Sequence, residues 1–245
     1  MDLIILIPTY NEEKTILNVV NSLQLILLKI QSKYPKIKKI FIYILDDCST
    51  DNTIEKVILF LKKKKKNNRV LIKYKKSKIN IGKSKLIFKE LKKINKNNLV
   101  FITDGDIELS STNIQFFLKN YFKKNVDLIC GYRNLTLYNN KLLHYFVYSL
   151  GSKFSNFLVN FGYSNKIKDV HCGQKLFKPQ NFSKFYCYRF SLDIELGLFF
   201  LRNSKKIYNL RLNRYKRRTA EQGKKLNFIN GIYLIWQTIF IKIFS

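Results

Sequence analysis

Apolar residues fall into short runs along the first half of the chain, and amphipathic stretches separate these runs. Each run has the length of a strand and is rich in Ile, Leu, Val, Phe or Tyr, as a strand buried in a sheet requires. The runs predict five strands: Asp2–Pro8, Lys39–Leu45, Val70–Tyr74, Leu99–Thr103 and Val126–Cys130.

The stretches between the runs carry apolar residues at intervals of three and four, which is the spacing of one helix face. They predict helices at Glu13–Ser32, Asn52–Lys64, Lys83–Ile94 and Ser111–Phe122. Alternation of strand and helix is typical of an α/β fold whose mostly parallel, Rossmann-like sheet is flanked by helices. Ligands of such sheets bind beyond the carboxyl ends of the strands, so functional residues are expected there.

The second half is less regular, and its last segment is the most informative. Leu142–Phe161 and Ser191–Leu201 have helical spacing, whereas Arg211–Lys225 is polar and strongly basic. Phe228–Ser245 predicts an amphipathic helix, because its polar residues recur at roughly helical spacing beside a wide apolar arc that holds Trp236. Such a helix favours an orientation in the plane of a membrane interface. The alternative is a helix docked on the protein's own core or on a partner.

Composition adds a strong positive charge to this picture. The chain has 46 basic and 16 acidic residues, a net charge of +30, and the excess is almost all lysine. Such a surface attracts polyanions, which include nucleic acids, anionic lipids and phosphate-bearing substrates. A compositional bias of the genome, seen also in the many Asn and Ile residues, explains the same excess. The charge alone therefore selects no partner.

The cysteines and the start of the chain indicate a reducing compartment. No metal-ligand or disulfide spacing links the four cysteines, Cys48, Cys130, Cys172 and Cys187. The first apolar run has no basic leader and ends at Pro8, so no signal peptide is expected and the functional part should face the cytosol. The two histidines, His144 and His171, are far apart in the sequence and predict no metal site.

Acidic and small polar residues gather where three predicted strands end. The first strand runs into Pro8–Glu12, the second into Asp46–Asp51 and the fourth into Asp104–Glu108. Two carboxylates that flank a glycine, as in Asp104-Gly105-Asp106, can approach one hard cation. We therefore expect Mg²⁺ or Mn²⁺ there, where the ion would neutralise a departing diphosphate.

Two further segments belong to the same edge of the predicted sheet. Asp46 and Asp47 can accept hydrogen bonds from a base or ribose, or cap the following helix. Asn80-Ile81-Gly82-Lys83 opens the third helix, and its backbone N–H groups and Lys83 are expected to meet phosphate. The sequence has neither a two-glycine dinucleotide fingerprint nor a Walker motif, which argues against the NAD-type and P-loop classes.

In order and spacing, these motifs resemble glycosyltransferase family 2, whose members have the GT-A fold. The second half adds Gly131-Tyr132-Arg133, Asp169–Phe177 and Asp193-Ile194-Glu195. These segments are similar to the branch of dolichyl-phosphate mannose synthases and dolichyl-phosphate glucosyltransferases. The likeness covers about residues 3–225.

The resemblance implies a role for each matching residue. The nucleotide-sugar pocket would include Pro8, Tyr10, Glu12, Asp46, Asp47, Lys83, Asp104 and Gln174. The metal would be held by Asp104, Asp106 and Glu108. Arg133 would meet the acceptor phosphate, Asp169 and Gln174 would shape the sugar and acceptor side, and Glu195 would help to place the sugar. Catalysis would depend on Asp104, Asp106, Arg133 and Glu195.

The chain departs from the family pattern in two places. Near the end, the branch has Gly-x-Ser-Lys where this chain has Gly223-Lys224-Lys225, and we assign Arg218 and Lys225 to the acceptor phosphate. Gly173-Gln174-Lys175 stands where the branch has Gly-Phe-Arg or Gly-Phe-Lys, which leaves the donor sugar open.

The resemblance implies an inverting hexosyltransferase that moves a hexose from GDP-mannose or UDP-glucose to a polyprenyl or dolichyl phosphate. Residues 1–225 would form one GT-A catalytic domain, with a nucleotide-binding half at 1–108 and an acceptor half at 109–225, followed by the helix of 226–245. Its catalytic domain would face the cytosol at the endoplasmic reticulum membrane of a eukaryote or the inner membrane of a bacterium. The expected partners are an anionic membrane surface and a membrane-anchoring subunit or a second copy of the chain; no nucleic acid is expected.

Three alternatives stay open. A saccharide or protein acceptor would require a base carboxylate, for which Asp193 or Glu195 would serve. A nucleic-acid-binding protein would carry basic and aromatic residues on one face and bind in a salt-sensitive way, although the acids at three strand ends oppose it. The third alternative is a catalytically inactive relative, which the intact Asp104-Gly105-Asp106 opposes.

Overall fold

The computed structural model describes residues 1–63, 70–105, 111–133, 142–182, 185–188, 191–212 and 228–244. These residues form one seven-stranded sheet with helices on both faces, which confirms the predicted α/β class. The strands are β1 Leu3–Thr9, β2 Ile40–Asp46, β3 Val70–Lys76, β4 Leu99–Ile102, β5 Leu128–Tyr132, β6 Lys175–Phe177 and β7 Ile207–Arg211. The helices are α1 Ile16–Lys33, α2 Thr53–Lys63, α3 Lys83–Leu91, α4 Ser111–Lys124, α5 Leu142–Asn160, α6 Leu192–Arg202 and α7 Phe228–Phe244.

The strand order brings the ends of three strands together. Across the sheet the order is β3-β2-β1-β4-β6-β5-β7. The first four strands are parallel, and Leu3 of β1 is level with Ile40 of β2 and Leu99 of β4. Because β1, β2 and β4 start level and point the same way, their carboxyl ends meet at one edge of the sheet. Only β6 is antiparallel to its neighbours, β4 and β5.

The central strand β1 shows why this sequence forms a sheet covered on both faces. Its apolar run is buried throughout, as a parallel strand between two helical layers requires. Successive side chains point to opposite faces. Leu3, Ile5 and Ile7 enter the core that holds residues of α1 and α4, whereas Ile4 and Leu6 enter the core that holds residues of α3 and α6.

The sequence predicted neither β6 nor β7. β6 has only three residues and begins with a lysine, so no apolar run marks it. β7 lies at the edge of the sheet, and most of its residues are only partly buried, so it lacks a clear alternation. It ends at Arg211, the first residue of the predicted basic segment; residues 213–225 of that segment lie outside the described residues.

The last helix, α7, packs beside α5, and the two helices run in the same direction. Ile235 lies next to Gly151 near the middle of α5. About two turns further on, Lys242 Nζ donates hydrogen bonds to the backbone carbonyls of Val159 (3.3 Å) and Phe161 (2.9 Å). The terminal helix is therefore docked on the protein.

The polar side of α7 faces the protein. Gln237 and Thr238 are buried together with Ile241, whereas Trp236 and Ile243 are exposed. No helix in the described ranges is both long and apolar enough to cross a bilayer. The interfacial orientation of the helix and the domain boundary near residue 225 stay predictions.

The fully buried Phe101 in β4 packs edge to face against Phe117 of α4, with ring centroids 5.1 Å apart. Replacing Phe101 by alanine removes this contact and leaves a cavity, so we expect Phe101→Ala to lower the unfolding free energy by about 3–5 kcal/mol. Leu25 of α1 is exposed, and Leu25→Ala should change it by no more than about 0.5 kcal/mol. Urea denaturation measures both. Equal effects of the two substitutions would contradict this placement of the core.

Candidate active site

Hydrogen bonds join the segments that follow β1 and β2. The backbone N–H of Asn11 donates to Ser49 Oγ, and Asn11 Oδ1 accepts from the N–H of Thr50, both at 2.9 Å. The N–H of Glu12 donates to Thr53 Oγ1 at 2.8 Å. Asn11 has a left-handed backbone with φ 55°, a conformation that asparagine tolerates better than most residues. Two strand ends thus form one connected floor.

The two aspartates at the end of β2 both serve this floor. Asp46 is fully buried, and its carboxylate accepts from the backbone N–H of Ser49 (2.9 Å) and from the Ser49 hydroxyl. The carboxylate of Asp47 accepts from the N–H groups of Ile81 and Gly82, each at 2.8 Å. These are the N–H groups at the start of α3 that were expected to meet phosphate, and Asp47 takes them instead. Contacts of Asp46 and Asp47 with a nucleotide stay predictions.

Four alternating charges run inward from the end of β4. Lys83 Nζ donates to Asp104 Oδ1 at 2.6 Å and to Asp193 Oδ2 at 3.4 Å. The other oxygen of Asp193, Oδ1, accepts from Lys175 Nζ at 2.8 Å. We call these four residues the charge chain. It connects the end of β4 and the start of α3 with the starts of β6 and α6, two pairs of elements that are distant from each other in the sequence.

The inner end of the charge chain is fully compensated. Lys175 is completely buried, and its Nζ also donates to the carbonyls of Val170 (3.1 Å) and Cys172. Burial would lower the pKa of the Lys175 ammonium and raise that of the Asp193 carboxyl. Their mutual attraction outweighs burial, so the pKa of Lys175 lies above its ordinary value and that of Asp193 below it. Burial would also lower the pKa of Lys83, but Asp104 and Asp193 raise it above its ordinary value. Lys83, Asp193 and Lys175 are therefore charged at neutral pH.

Two glycines allow the backbone to approach the outer end of the charge chain. A methyl group on Gly173 would lie 2.9 Å from Asp104 Cγ and 3.0 Å from its Oδ1, which is too close for unbonded atoms. A methyl group on Gly105 would lie 3.0 Å from Thr9 Cγ2. Glycine at these positions therefore lets the segments after β4 and before β6 pack around Asp104.

Arg133 and Asp169 form a buried, two-pronged ion pair beside the charge chain. Arg133 Nε donates to Asp169 Oδ2 at 2.7 Å and Nη2 donates to Oδ1 at 2.9 Å. Burial would raise the pKa of the Asp169 carboxyl, but the guanidinium outweighs burial and holds it below its ordinary value. The pair fixes the plane of the Arg133 side chain. Its contact with an acceptor phosphate stays a prediction.

Gln174 is completely buried, and neither its Oε1 nor its Nε2 has a hydrogen-bond partner among the described residues. Thr103 Oγ1 shares this property. Ile102 pairs with Lys175 in the antiparallel ladder, so the next pair along places Thr103 opposite Gln174. Buried polar groups are nearly always paired. Thr103 precedes Asp104, and Gly173, which precedes Gln174, lies against the Asp104 carboxylate, so these two side chains offer hydrogen-bonding capacity close to Asp104. The role of Gln174 on the sugar and acceptor side stays a prediction.

Glu195 has a different environment from the one that its predicted role suggests. Its carboxylate accepts from the N–H groups of Tyr186 (2.6 Å) and Cys187 (2.9 Å) and from the Ser191 hydroxyl. Burial raises its pKa in spite of these donors. Within the described part of the chain it is Asp193, not Glu195, that contacts Lys83. The role of Glu195 in placing the sugar stays a prediction.

The remaining predicted residues divide into two groups. Pro8 and Tyr10 are partly exposed at the end of β1, and Glu12 is buried with its carboxylate accepting from Thr15 Oγ1 at 2.8 Å. Asp106, Glu108, Arg218 and Lys225 lie outside the described residues.

The fit of a divalent metal therefore depends on Asp104, the one predicted ligand that is described. No cluster of three or more His, Cys, Asp or Glu side chains suited to a metal occurs in the described ranges. Asp104 is partly exposed and offers the hard oxygen ligands that Mg²⁺ and Mn²⁺ prefer. The Lys83 ammonium at 2.6 Å shows that a cation is favourable beside this carboxylate.

Comparison with known sequences agrees with this geometry. The profile of glycosyl transferase family 2 matches residues 4–185, well over half of the chain. An uncharacterised protein of Methanocaldococcus jannaschii is 30% identical over 184 residues, which make up 73% of this chain and 72% of that protein.

Several solved structures share the fold. Glucosyl-3-phosphoglycerate synthase from Mycobacterium tuberculosis, in complex with phosphoglyceric acid, covers the whole chain with a TM-score of 0.65, 13% identity and 81% of its own length. The structure of residues 1–349 of S. aureus TarS, also solved with UDP-GlcNAc, has a TM-score of 0.61 and 18% identity, and this chain spans 66% of its length. The mannosyltransferase PcManGT from Pyrobaculum calidifontis, in complex with GDP-Man and Mn²⁺, has a TM-score of 0.54 and 11% identity. The match covers 99% of this chain and 70% of PcManGT. At these identities the likeness shows the fold alone.

The charge chain generates a stability prediction. Lys175→Met leaves the buried Asp193 carboxylate without its nearest cation, and breaking a buried pair in this way should lower the unfolding free energy by about 3–5 kcal/mol. The matched control is Lys75→Met, which removes the more exposed ion pair between Lys75 and Glu90 and should cost less than about 1 kcal/mol. Denaturant titration compares them. A Lys175→Met protein as stable as the control would contradict the role of Lys175.

The partly buried His171, which lies near the charges of Asp169, Arg133, Asp193 and Lys175, generates a prediction about the pH dependence of stability. Burial lowers the pKa of its imidazole from 6.5 to about 4, and Arg133 and Lys175 add to the effect against Asp169 and Asp193. Between these pH values the unfolded chain binds a proton that the folded chain does not. The contribution is therefore complete above pH 6.5 and is lost as the pH falls to 4.

We expect the unfolding free energy to fall over this window by about 1–2 kcal/mol more in the wild type than in His171→Gln, since the side chain is partly solvated. Denaturation curves at several pH values measure the difference. The carboxylates of Asp169 and Asp193 have lowered pKa values, so their contributions to the unfolding free energy are lost only below pH 3.8. That loss lies outside the pH window of His171. Parallel pH profiles for the two proteins would contradict the prediction.

Proposed function

Because this chain belongs to glycosyl transferase family 2, we propose that it is an inverting hexosyltransferase of the dolichyl-phosphate sugar synthase kind. The donor is GDP-mannose or UDP-glucose, and the acceptor is a polyprenyl or dolichyl phosphate. The observation that carries this proposal is the charge chain, which pairs the carboxylates of Asp104 and Asp193 with lysines.

The donor side of the proposal uses the floor formed by the ends of β1 and β2. The nucleotide lies over Pro8, Tyr10 and Asp47, beyond the carboxyl ends of the parallel strands. Structures of the same fold hold UDP-GlcNAc in TarS and GDP-Man with Mn²⁺ in PcManGT, which supports a nucleotide sugar as the donor. We expect the diphosphate to lie beside Lys83, whose Nζ is 2.6 Å from Asp104 Oδ1.

A divalent metal belongs to the same proposal. Mg²⁺ or Mn²⁺ would be held by Asp104 together with Asp106 and Glu108, which lie outside the described residues. The ion supplies charge neutralisation for the leaving diphosphate.

The state of the α6 carboxylates favours an ionised acceptor over a hydroxyl. A hydroxyl group needs a base whose pKa lies near the working pH. Both oxygens of Asp193 are paired with lysines, and its pKa is lowered. Burial raises the pKa of Glu195, but both of its carboxylate oxygens already accept hydrogen bonds, from the N–H groups of Tyr186 and Cys187 and from the Ser191 hydroxyl. A phosphate oxygen is already negatively charged at neutral pH and attacks without giving up a proton.

The proposed step is a direct displacement at the anomeric carbon. An oxygen of the acceptor phosphate forms the new bond to this carbon as the bond to the nucleotide diphosphate oxygen breaks, with inversion. No proton is transferred, so the protein's contribution is positioning and charge stabilisation. Arg133, held in one plane by Asp169, presents a fixed cation to the acceptor, with Arg218 and Lys225 as the further predicted phosphate contacts.

We expect metal-dependent transfer of labelled hexose into organic-extractable polyprenyl phosphate. The assay runs GDP-mannose, UDP-glucose and UDP-N-acetylglucosamine in parallel, each with Mn²⁺ or Mg²⁺ and with chelator. Asp104→Asn and Lys83→Met remove charges at the reacting centre and should each lower kcat by about 10²–10³-fold. Lys75→Met, which removes an equally charged residue away from the site, should leave it unchanged.

Three results would count against the proposal. If label enters a saccharide or protein but no lipid, the acceptor is a saccharide or protein and not a lipid phosphate. Asp193→Asn would then be tested as the loss of a base. Hydrolysis of the donor without any transfer would exclude the lipid acceptor. A folded protein that neither binds nor consumes a nucleotide sugar would be a catalytically inactive relative.

A further inference from the structure

Exposed apolar side chains cover the outer sides of α5 and α7. Eight large ones are exposed on or directly after these helices: Phe154, Phe157, Phe161, Tyr233, Trp236, Ile239, Ile243 and Phe244. We call this set the α5/α7 surface. Large contiguous apolar surfaces are rare on soluble proteins and mark interaction sites.

The two helices contribute adjacent rows to one surface. Phe154, Phe157 and Phe161 are spaced by three and four residues, so they follow one side of α5 and its end. On α7, Ile235 and Lys242 contact α5, and Ile239 lies on the same stripe between them. The exposed row of α7 therefore begins beside α5 and continues outward to Trp236.

The helix is fixed in this orientation. Its polar residues Gln237 and Thr238 face inward, which is the reverse of a helix on a water-exposed surface. The Tyr186 hydroxyl donates to the carbonyl of Phe244 and Arg202 Nη2 donates to that of Lys242, both at 2.7 Å. These contacts hold the apolar side outward, so the α5/α7 surface is built into the fold.

We propose that the α5/α7 surface inserts into the interface of an anionic membrane, with α5 and α7 both parallel to its plane. Its composition of Trp, Tyr, Phe and Ile is that of interfacial segments. Exposed Lys153 and Lys166 lie next to the phenylalanine row, on a chain with a net charge of +30, and this charge complements acidic headgroups. The choice of a membrane as the occupant rests on the proposed lipid-phosphate acceptor.

The surface is also connected to the candidate active site. Tyr186, which holds the end of α7, donates its backbone N–H to Glu195 on α6. Asp193, on the same helix, belongs to the charge chain. One short helix therefore joins the α5/α7 surface to the candidate active site.

The chain's single tryptophan, Trp236, reports on this surface directly. The full chain is mixed with vesicles of phosphatidylcholine, with and without phosphatidylglycerol, and binding is measured by cosedimentation and by Trp emission. We expect binding that needs the anionic lipid and weakens with salt, a blue-shifted emission, and quenching by lipids brominated on their acyl chains.

Matched variants locate the contact. Phe157→Glu with Ile243→Glu places two acids on the α5/α7 surface and should weaken vesicle binding by at least about tenfold. The control, Leu25→Glu with Leu59→Glu, places two acids on equally exposed leucines of α1 and α2 and should bind as the wild type does. If the surface variant does not fold, quenching of Trp236 in the wild type decides the question without it.

Several results would overturn the inference. Unshifted Trp emission on bound vesicles, or equal losses in both variants, would place the contact elsewhere. Vesicle binding absent while sedimentation shows a concentration-dependent dimer would identify a second copy as the occupant. Transfer to a short, water-soluble prenyl phosphate tests the proposed function separately, because this reaction needs no membrane. No transfer to this acceptor, together with normal vesicle binding, would contradict the proposed function but not the membrane contact of the α5/α7 surface.

Discussion

The alternation of charge from Asp104 through Lys83 and Asp193 to Lys175 is the constraint on which the site depends. Each of these groups is at the end of a different element, and the two middle groups, Lys83 and Asp193, each contact two neighbours of opposite charge. Charges buried in this way cost free energy unless they are paired and hydrogen-bonded. The ends of β4, α3, α6 and β6 are therefore held together by electrostatics, in addition to the apolar cores on either side of the sheet.

This arrangement determines what kind of chemistry the edge of the sheet can support. Carboxylates paired with ammonium groups are poor proton acceptors. Fixed charged groups are better suited to a displacement in which one phosphate anion attacks while another leaves. Gly173 and Gly105 contribute by having no side chain, since they let two backbone segments close around Asp104. The buried amide of Gln174, opposite Thr103, adds hydrogen-bonding capacity to a region that is otherwise apolar or charged.

The parallel part of the fold and the position of the candidate site could be predicted from the sequence, because long apolar runs and the polar residues after them are local signals. Other features depend on tertiary contacts. One buried lysine, Lys175, cannot be picked out among 46 basic residues. Asp193 and Glu195 are two residues apart on a helix and so point in different directions, and only the packing of α6 shows which one meets Lys83. Amphipathic spacing likewise gave α7 two sides but not which one faces the protein.

The inverted packing of α7 has a practical consequence for work with this protein. Removing the helix to make the chain more soluble would also remove Ile241 from the core and the Lys242 ammonium from the carbonyls of Val159 and Phe161. It would further release Tyr186, whose hydroxyl is bonded to Phe244 and whose backbone is bonded to Glu195. A truncated chain would thus lose the proposed membrane contact and part of its tertiary structure together. Solubility is better sought by changing outward-facing side chains or by supplying detergent.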